Sequence, residues 1–168
     1  ASIRGIRYCA TGSAVDSGFN IVTVDTVGRA VAPEPRLTPT TSSCGICGND
    51  AVDALTERLQ PLANGPLLGA AVIAALSGLV AGRQELFDLT GASHAAAAID
   101  ADGDVVVVRE DIGRHNAVDK LVGSQLLAGA LPLHDRILMV SGRVSFEIVQ
   151  KAAVAGFPIV CAVSAPSD

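Results

Sequence analysis

Four short and almost unbroken apolar runs govern what this chain can become: "AAAAI" at 95–99, "VVVV" at 105–108, "ILMV" at 137–140 and "IVCAV" at 159–163. A strand covered on both faces reads this way, because neither side of its pleat meets water. Between the runs the period lengthens. In "AVDKLVGSQLLAG" (117–129) Val118, Leu121, Val122 and Gln125 share a helical face, and in "FEIVQKAAVAG" (146–156) Phe146, Val149 and Ala153 are predicted to face inward. Glu147 and Lys151 are then placed outside as an i,i+4 pair. Strands alternating with helices predict a layered α/β domain. With 168 residues, 49 % of them hydrophobic and 17 % charged, the chain can bury one substantial core but not two ordinary domains.

The first third is different. Residues 1–37 are short β-prone runs broken by Gly and Ser, and "RAVAPEPRLTPTTSS" (29–43) reads as a linker with three prolines. We divide the chain into a β-rich segment with linker (1–37), a cysteine loop (38–50) and an α/β core domain (51–168). "NDAVDALTERLQ" (49–60) predicts a helix with Val52, Leu55 and Leu59 on one face, Asn49 or Asp50 as cap and Pro61 as terminator. The uncharged run "PLLGAAVIAALSGLVAG" (66–82) is shorter than the roughly 20 residues of a membrane span. It reads as a buried helix with Leu68, Val72, Leu76 and Leu79, ending near "LTGASH". A net charge of −5, 3 % aromatics and no Trp argue against a nucleic-acid surface.

In open α/β sheets ligands settle beyond the carboxyl ends of strands, where loops meet helix N-termini. "EDIGRHN" follows the second apolar run as a polar loop offering Asp111, Arg114, His115 and Asn116, with Lys120 one turn further. "SGR" follows the third run, where Ser141 and Gly142 can present backbone N–H groups and Arg143 a fork of donors. Ser164 follows the fourth run. A charged or nucleotide-like small molecule is the natural guest. His94, between a glycine turn and a strand, is either a satisfied core histidine or part of that pocket, and His134 reads as a surface residue.

The cysteines are Cys9, Cys44, Cys47 and Cys161, and with this much apolar core they are expected to be reduced thiols of a cytoplasmic protein. Cys44 and Cys47 form a CxxC in "TSSCGICGND". A structural zinc site would need two more ligands, and His94 and His115 complete a Cys₂His₂ set only across long, irregular spacings. A thioredoxin-like dithiol usually follows a strand directly, which this pair does not. A mobile nucleophilic thiolate fits better: Gly45 and Gly48 leave the sulfurs open, and a following helix N-terminus would lower a thiol pKa. Such a thiol can take up a sulfane sulfur as a persulfide and hand it on.

Together "SSCGICG", "TGASHAAA", "DGDVVVVREDIGRHNAVDKLVG" and "SGRVSFEIVQKAAVAGFPIVCAVSAPS" resemble the formate dehydrogenase accessory sulfurtransferase family, FdhD, from about Thr38 onward. "VVREDIGRHNAVDK" is the most specific stretch. The resemblance implies a cytidine-deaminase-like fold, a three-layer α/β/α sandwich behind a short β-rich N-terminal segment, assembled as a homodimer. Deaminase chemistry is not implied, because the HxE and PCxxC motifs are absent. What is implied is sulfur transfer: a cysteine desulfurase loads the CxxC loop, which passes sulfur to the molybdenum cofactor of formate dehydrogenase. That cofactor is the bis-molybdopterin guanine dinucleotide form, so a pocket for a GDP-like guanine nucleotide moiety is expected. Cys44 becomes the persulfide bearer and Cys47 its helper. His94, Arg114, His115, Asn116, Lys120, Ser141, Gly142, Arg143 and Ser164 become the pocket candidates by loop position, with no resident metal, no nucleic acid and no membrane as partner. Ser93 stands where the family pattern calls for an aliphatic residue. That pattern also has more chain before Ser2 and, past "SAPS", a further strand and a basic, aromatic segment, so a fragment is expected. Two competing functions remain: a non-catalytic carrier of the cofactor, and a small zinc-stabilised binding module.

Overall fold

The computed structural model describes residues 2–8, 15, 18, 21–28, 56, 59, 61–62 and 64–166. Cys44 and Cys47 lie outside the described residues, as does nearly all of the helix expected over 49–60. The chain forms two compact units, 1–39 and 40–168. In the first, β1 (Ser2–Tyr8) and β2 (Val22–Val27) pair antiparallel from Ser2↔Val27 to Tyr8↔Val22, with a register irregularity between Ile3 and Gly5.

The second unit holds α1 (Ala70–Ala81), α2 (Glu85–Thr90), β3 (His94–Ile99), β4 (Val105–Asp111), α3 (Arg114–Leu127), β5 (Ile137–Val140), α4 (Phe146–Ala155) and β6 (Ile159–Ala162). Its sheet order is β4-β3-β5-β6. The apolar runs are the strands, and the strand at the centre explains why its residues are alanines. Ala96 and Ala98 pack on one face with Val118 and Leu121 of α3 and Ile148 and Ala152 of α4. Ala95, Ala97 and Ile99 pack on the other face with Leu76 and Val80 of α1. Period-2 alternation thus feeds two cores from one strand, and small side chains let helices approach from both sides. Three layers, α/β/α, result as expected. Leu138, Ile148 and Phe157 are essentially fully buried, each stabilising the fold by roughly 1.5–3 kcal/mol.

Several local expectations change. The apolar run from Pro66 forms a 12-residue helix that ends at Gly82, and α2 is a separate short helix beyond it. Leu76 and Val80 form its buried stripe, while Leu79 is exposed. No helix among the described residues is long and apolar enough to cross a membrane. On α4 the inward face carries Ile148, Ala152 and Ala155, and Phe146 and Val149 are turned out. Both stripes have helical spacing, and the one carrying Ile148, Ala152 and Ala155 is the one that joins the core with Val118 and Leu121 of α3. Glu147 and Lys151 do not pair: Lys151 bonds Asp119 of α3. Finally, Arg114, His115 and Asn116 lie in the first turn of α3, not in a loop.

Candidate functional site

Strand direction creates the site. β4 and β5 both run antiparallel to β3, and β6 runs parallel to β5. Hence β4, β5 and β6 all end where β3 begins, with His94 opposite Asp111, Ala96 opposite Val140 and Val140 opposite Ala162. α3 and α4 start at this same edge, bringing two helix N-termini with their unpaired N–H groups.

Asp111 organises the turn into α3. Its Oδ1 accepts the Gly113 N–H (2.9 Å) and Asn116 Nδ2–H (3.1 Å), and its Oδ2 meets Lys120 Nζ at 2.6 Å. This Asx-type turn is why the helix begins three residues early. Lys120 and the Gly113 N–H hold the Asp111 carboxyl at about 2, well below its ordinary 3.8. Lys120 also donates to Glu110 O (3.0 Å). Glu110 faces the other way: burial disfavours its charge, but Ser93 Oγ (2.7 Å) and the Leu86 and Phe87 N–H groups (2.8 and 2.9 Å) more than compensate, so its pKa is lowered. Ser93 therefore has a partner that an aliphatic residue would lack.

Arg114, His94 and Gly142 come together. A Cβ on Gly142 would lie 3.4 Å from both Arg114 Cδ and His94 Nδ1, so the absence of a side chain there leaves the guanidinium stem and the imidazole neighbours across the glycine. Arg114 Nε is buried and has no hydrogen-bond partner. Buried donors are nearly always paired, so this nitrogen is an exception that the strand-end edge has to account for.

His115, Ser145 and Glu147 form a second cluster. His115 Nε2 is 2.9 Å from Ser145 Oγ and 3.8 Å from Glu147 Oε2. Burial and the neighbouring Arg114 charge push the His115 pKa below its ordinary 6.5. A hydrogen bond from Ser145 lowers the Glu147 pKa. A serine-nucleophile triad is excluded by this layout: its acid must bond the imidazole nitrogen remote from the serine, whereas Glu147 sits on the same side as Ser145.

The remaining candidates divide. Ser141 continues the sheet, its Oγ accepting Ala95 N–H (2.8 Å) and its own N–H donating to Ala95 O (3.0 Å). Its backbone N–H is thus spent on β3 rather than presented to a ligand, contrary to the sequence expectation. Asn116 and Lys120 serve Asp111. Arg143 and Ser164 are exposed at the same edge. Among the described residues no group of three or more His, Cys, Asp or Glu is arranged to hold a metal. Cys161 in β6 is half-buried, and burial pushes its thiol pKa up, which makes it a poor nucleophile. Sequence reasoning missed Ser145 and Glu147. The signal was a serine at the helix-start position with an acid two residues on, the acid being placed on the outer face of the helix.

Fold and site together define a three-layer α/β protein with a cluster of polar and charged side chains at one edge of its sheet. The chain belongs to the FdhD/NarQ family, whose sequence profile matches residues 1–168. It is 44 % identical over 172 residues to a sulfur carrier protein FdhD of Mycolicibacterium paratuberculosis, covering 99 % of this chain and 63 % of that protein. It is 46 % identical over 174 residues to one of Streptomyces avermitilis (99 % and 61 %). It is also 46 % identical over 167 residues to one of Thermoplasma volcanium (99 % and 60 %). The chain therefore spans about three fifths of the length of these relatives. A crystal structure assigned as a formate dehydrogenase accessory protein of Desulfotalea psychrophila aligns with a TM-score of 0.59 at 32 % identity, covering 68 % of this chain and 48 % of that one.

Proposed function

We propose that this chain is a cytoplasmic sulfur carrier that holds a persulfide on Cys44 and delivers the sulfur to a molybdenum bis-molybdopterin guanine dinucleotide destined for formate dehydrogenase. The relatives' name, sulfur carrier protein FdhD, supports the first half. The observation that carries the second is the buried, unpartnered Nε of Arg114 beside Gly142 and His94. A guanidinium nitrogen without a partner, a glycine that permits close approach and two helix N-termini suit the phosphates of a guanine nucleotide.

The sulfur steps balance by thiol exchange. The Cys44 thiolate attacks the terminal sulfur of a persulfide on the donor desulfurase; a new S–S bond forms, the old one breaks, and the donor's thiolate leaves. For release, the Cys47 thiolate attacks Cys44 Sγ, giving a Cys44–Cys47 disulfide and freeing the outer sulfur as sulfide. The sulfur gains two electrons and the two cysteines lose them, so a cellular dithiol must restore the pair. Arg114, His94 and Gly142 bind and orient the nucleotide end of the substrate, and in a homodimer each protomer would offer one such edge.

Intact-mass spectrometry after incubation with a cysteine desulfurase and cysteine tests the loading step. Wild type should gain about 32 Da, one sulfur atom, reversibly by reductant, and Cys44→Ala should not. An equal gain on Cys44→Ala overturns the assignment. If both cysteine variants still activated formate dehydrogenase while Arg143→Ala did not, the non-catalytic carrier would be the correct reading.

A further inference from the structure

The serine that opens α4 does not do what a serine in that position normally does. Ser145 has the extended backbone of an N-cap (φ −114°, ψ 167°), yet its side chain makes no capping bond to the helix. The hydroxyl is diverted instead to His115 Nε2 at 2.9 Å, and Glu147 Oε2 lies 3.8 Å from the same nitrogen. The side chain is nearly buried, at 7 % exposure.

The direction of the bonds follows from counting protons. An ionised carboxylate only accepts, so Glu147 Oε2 beside Nε2 favours a proton on that nitrogen. The Ser145 oxygen can then accept from the same N–H. His115 therefore carries its proton on Nε2, and in the neutral ring Nδ1 is the unprotonated nitrogen. An Nε2–H flanked by Ser145 Oγ and Glu147 Oε2 links the first turn of α3, after β4, to the start of α4, after β5. Those are the two places that supply Arg114 and Gly142.

We propose that Ser145 and Glu147 are positioning residues that act through His115, fixing its tautomer and tying the start of α3 to the start of α4 so that Arg114 stays set against Gly142. The inference deepens the reading of this edge as the seat of a guanine nucleotide and rests on it for its binding consequence. The charged groups facing His115 are Arg114 and Asp119 from its own helix and Glu147 and Lys151 from α4. Arg114 and Lys151 oppose its protonation and Glu147 and Asp119 favour it, while burial tips the balance to the neutral ring. Protonation leaves Nε2–H in place, so the tether survives acid; removal of Ser145 or of the acceptor at 147 does not leave it.

Three variants separate the roles. Ser145→Ala and Glu147→Ala each remove an acceptor beside Nε2, whereas Glu147→Gln keeps a carbonyl there but removes the charge. The readouts are the ring-nitrogen NMR spectrum of His115, hydrogen exchange at the Ala117 amide, which donates to Gly113 O (3.0 Å), and GDP binding by calorimetry. Wild type and Glu147→Gln should show a single Nε2–H tautomer, with His115 titrating lower in Glu147→Gln. Ser145→Ala and Glu147→Ala should show a mixture of tautomers, Ala117 exchange faster by about tenfold and GDP affinity weaker by about tenfold, the scale of one charge-assisted hydrogen bond. An unchanged tautomer and unchanged exchange in Ser145→Ala overturn the proposal whatever GDP does. If wild type itself binds no GDP, the nucleotide-seat reading falls, and the tautomer and exchange data still decide the tether.

Discussion

Replacing Asp111 by Asn removes one charge while keeping the shape of the side chain. In the folded chain the carboxyl titrates at about 2 against an ordinary 3.8, because Lys120 and the Gly113 N–H donate to it, with a further bond from Asn116, all against the cost of burial. At 1.36 kcal/mol per pH unit the difference sets an upper bound of about 2.5 kcal/mol. Lys120 is 53 % exposed, so solvent screens the pair, and the expected loss in Asp111→Asn is about 1–2 kcal/mol at pH 7. The sign follows from linkage. The folded pKa lies below the unfolded one, so the contribution is complete above the unfolded value, declines as pH falls below it and is lost as pH passes through the folded value near 2. Urea unfolding of both proteins at pH 7 and pH 3 tests this, and the gap between them should narrow by about half at the lower pH. A gap equal at the two pH values, or within the ~0.5 kcal/mol of an ordinary surface change, would refute the claim that these donors stabilise the charged form.

Arg114→Met should separate stability from binding: losing a buried donor without a partner raises stability by about 1 kcal/mol, while GDP affinity falls by about tenfold or more. Thermal melts and calorimetry read the two together, and a destabilised variant would mean the guanidinium is structurally required. Gly156→Ala should be costly, because φ is +94° and a Cβ would sit 2.9 Å from Leu133 N and Pro132 Cβ. We expect about 2–3 kcal/mol in urea unfolding, and a change under 1 kcal/mol would show that the 132–133 segment yields easily.

Strand identity was legible because burial on both faces leaves a mark no solvent-exposed segment carries: "AAAAI" and "ILMV" had few alternatives. The edge where the chemistry gathers was legible too, since strand ends and helix starts follow from the strands. Which face of a helix turns inward was not, because α4 is apolar on two sides and the choice between Ile148 and Phe146 is made by tertiary packing, with Ile148 in the core beside Leu121 and Phe157. The start of α3 was hidden for a related reason. Polar residues read as loop until a side chain elsewhere, here Asp111, supplies the turn's missing acceptor. Glu147 was misassigned because i,i+4 spacing identifies possible partners on one helix and is blind to His115 across the layer.

An acidic chain proposed to receive an anion needs its carboxylates occupied at the proposed seat, and this edge arranges that. Asp111 is neutralised by Lys120 and held by the Gly113 N–H. Glu147 is bound by Ser145. Glu110 is turned away to the start of α2 and Ser93. What remains toward Gly142 is the Arg114 guanidinium with one buried donor unspent. Each of these three carboxylates has a polar partner within the protein, which offsets its repulsion of the proposed phosphate. On that proposal the field an anionic guest would meet is set by two helix N-termini, Arg114 and the exposed Arg143 rather than by the net charge of −5.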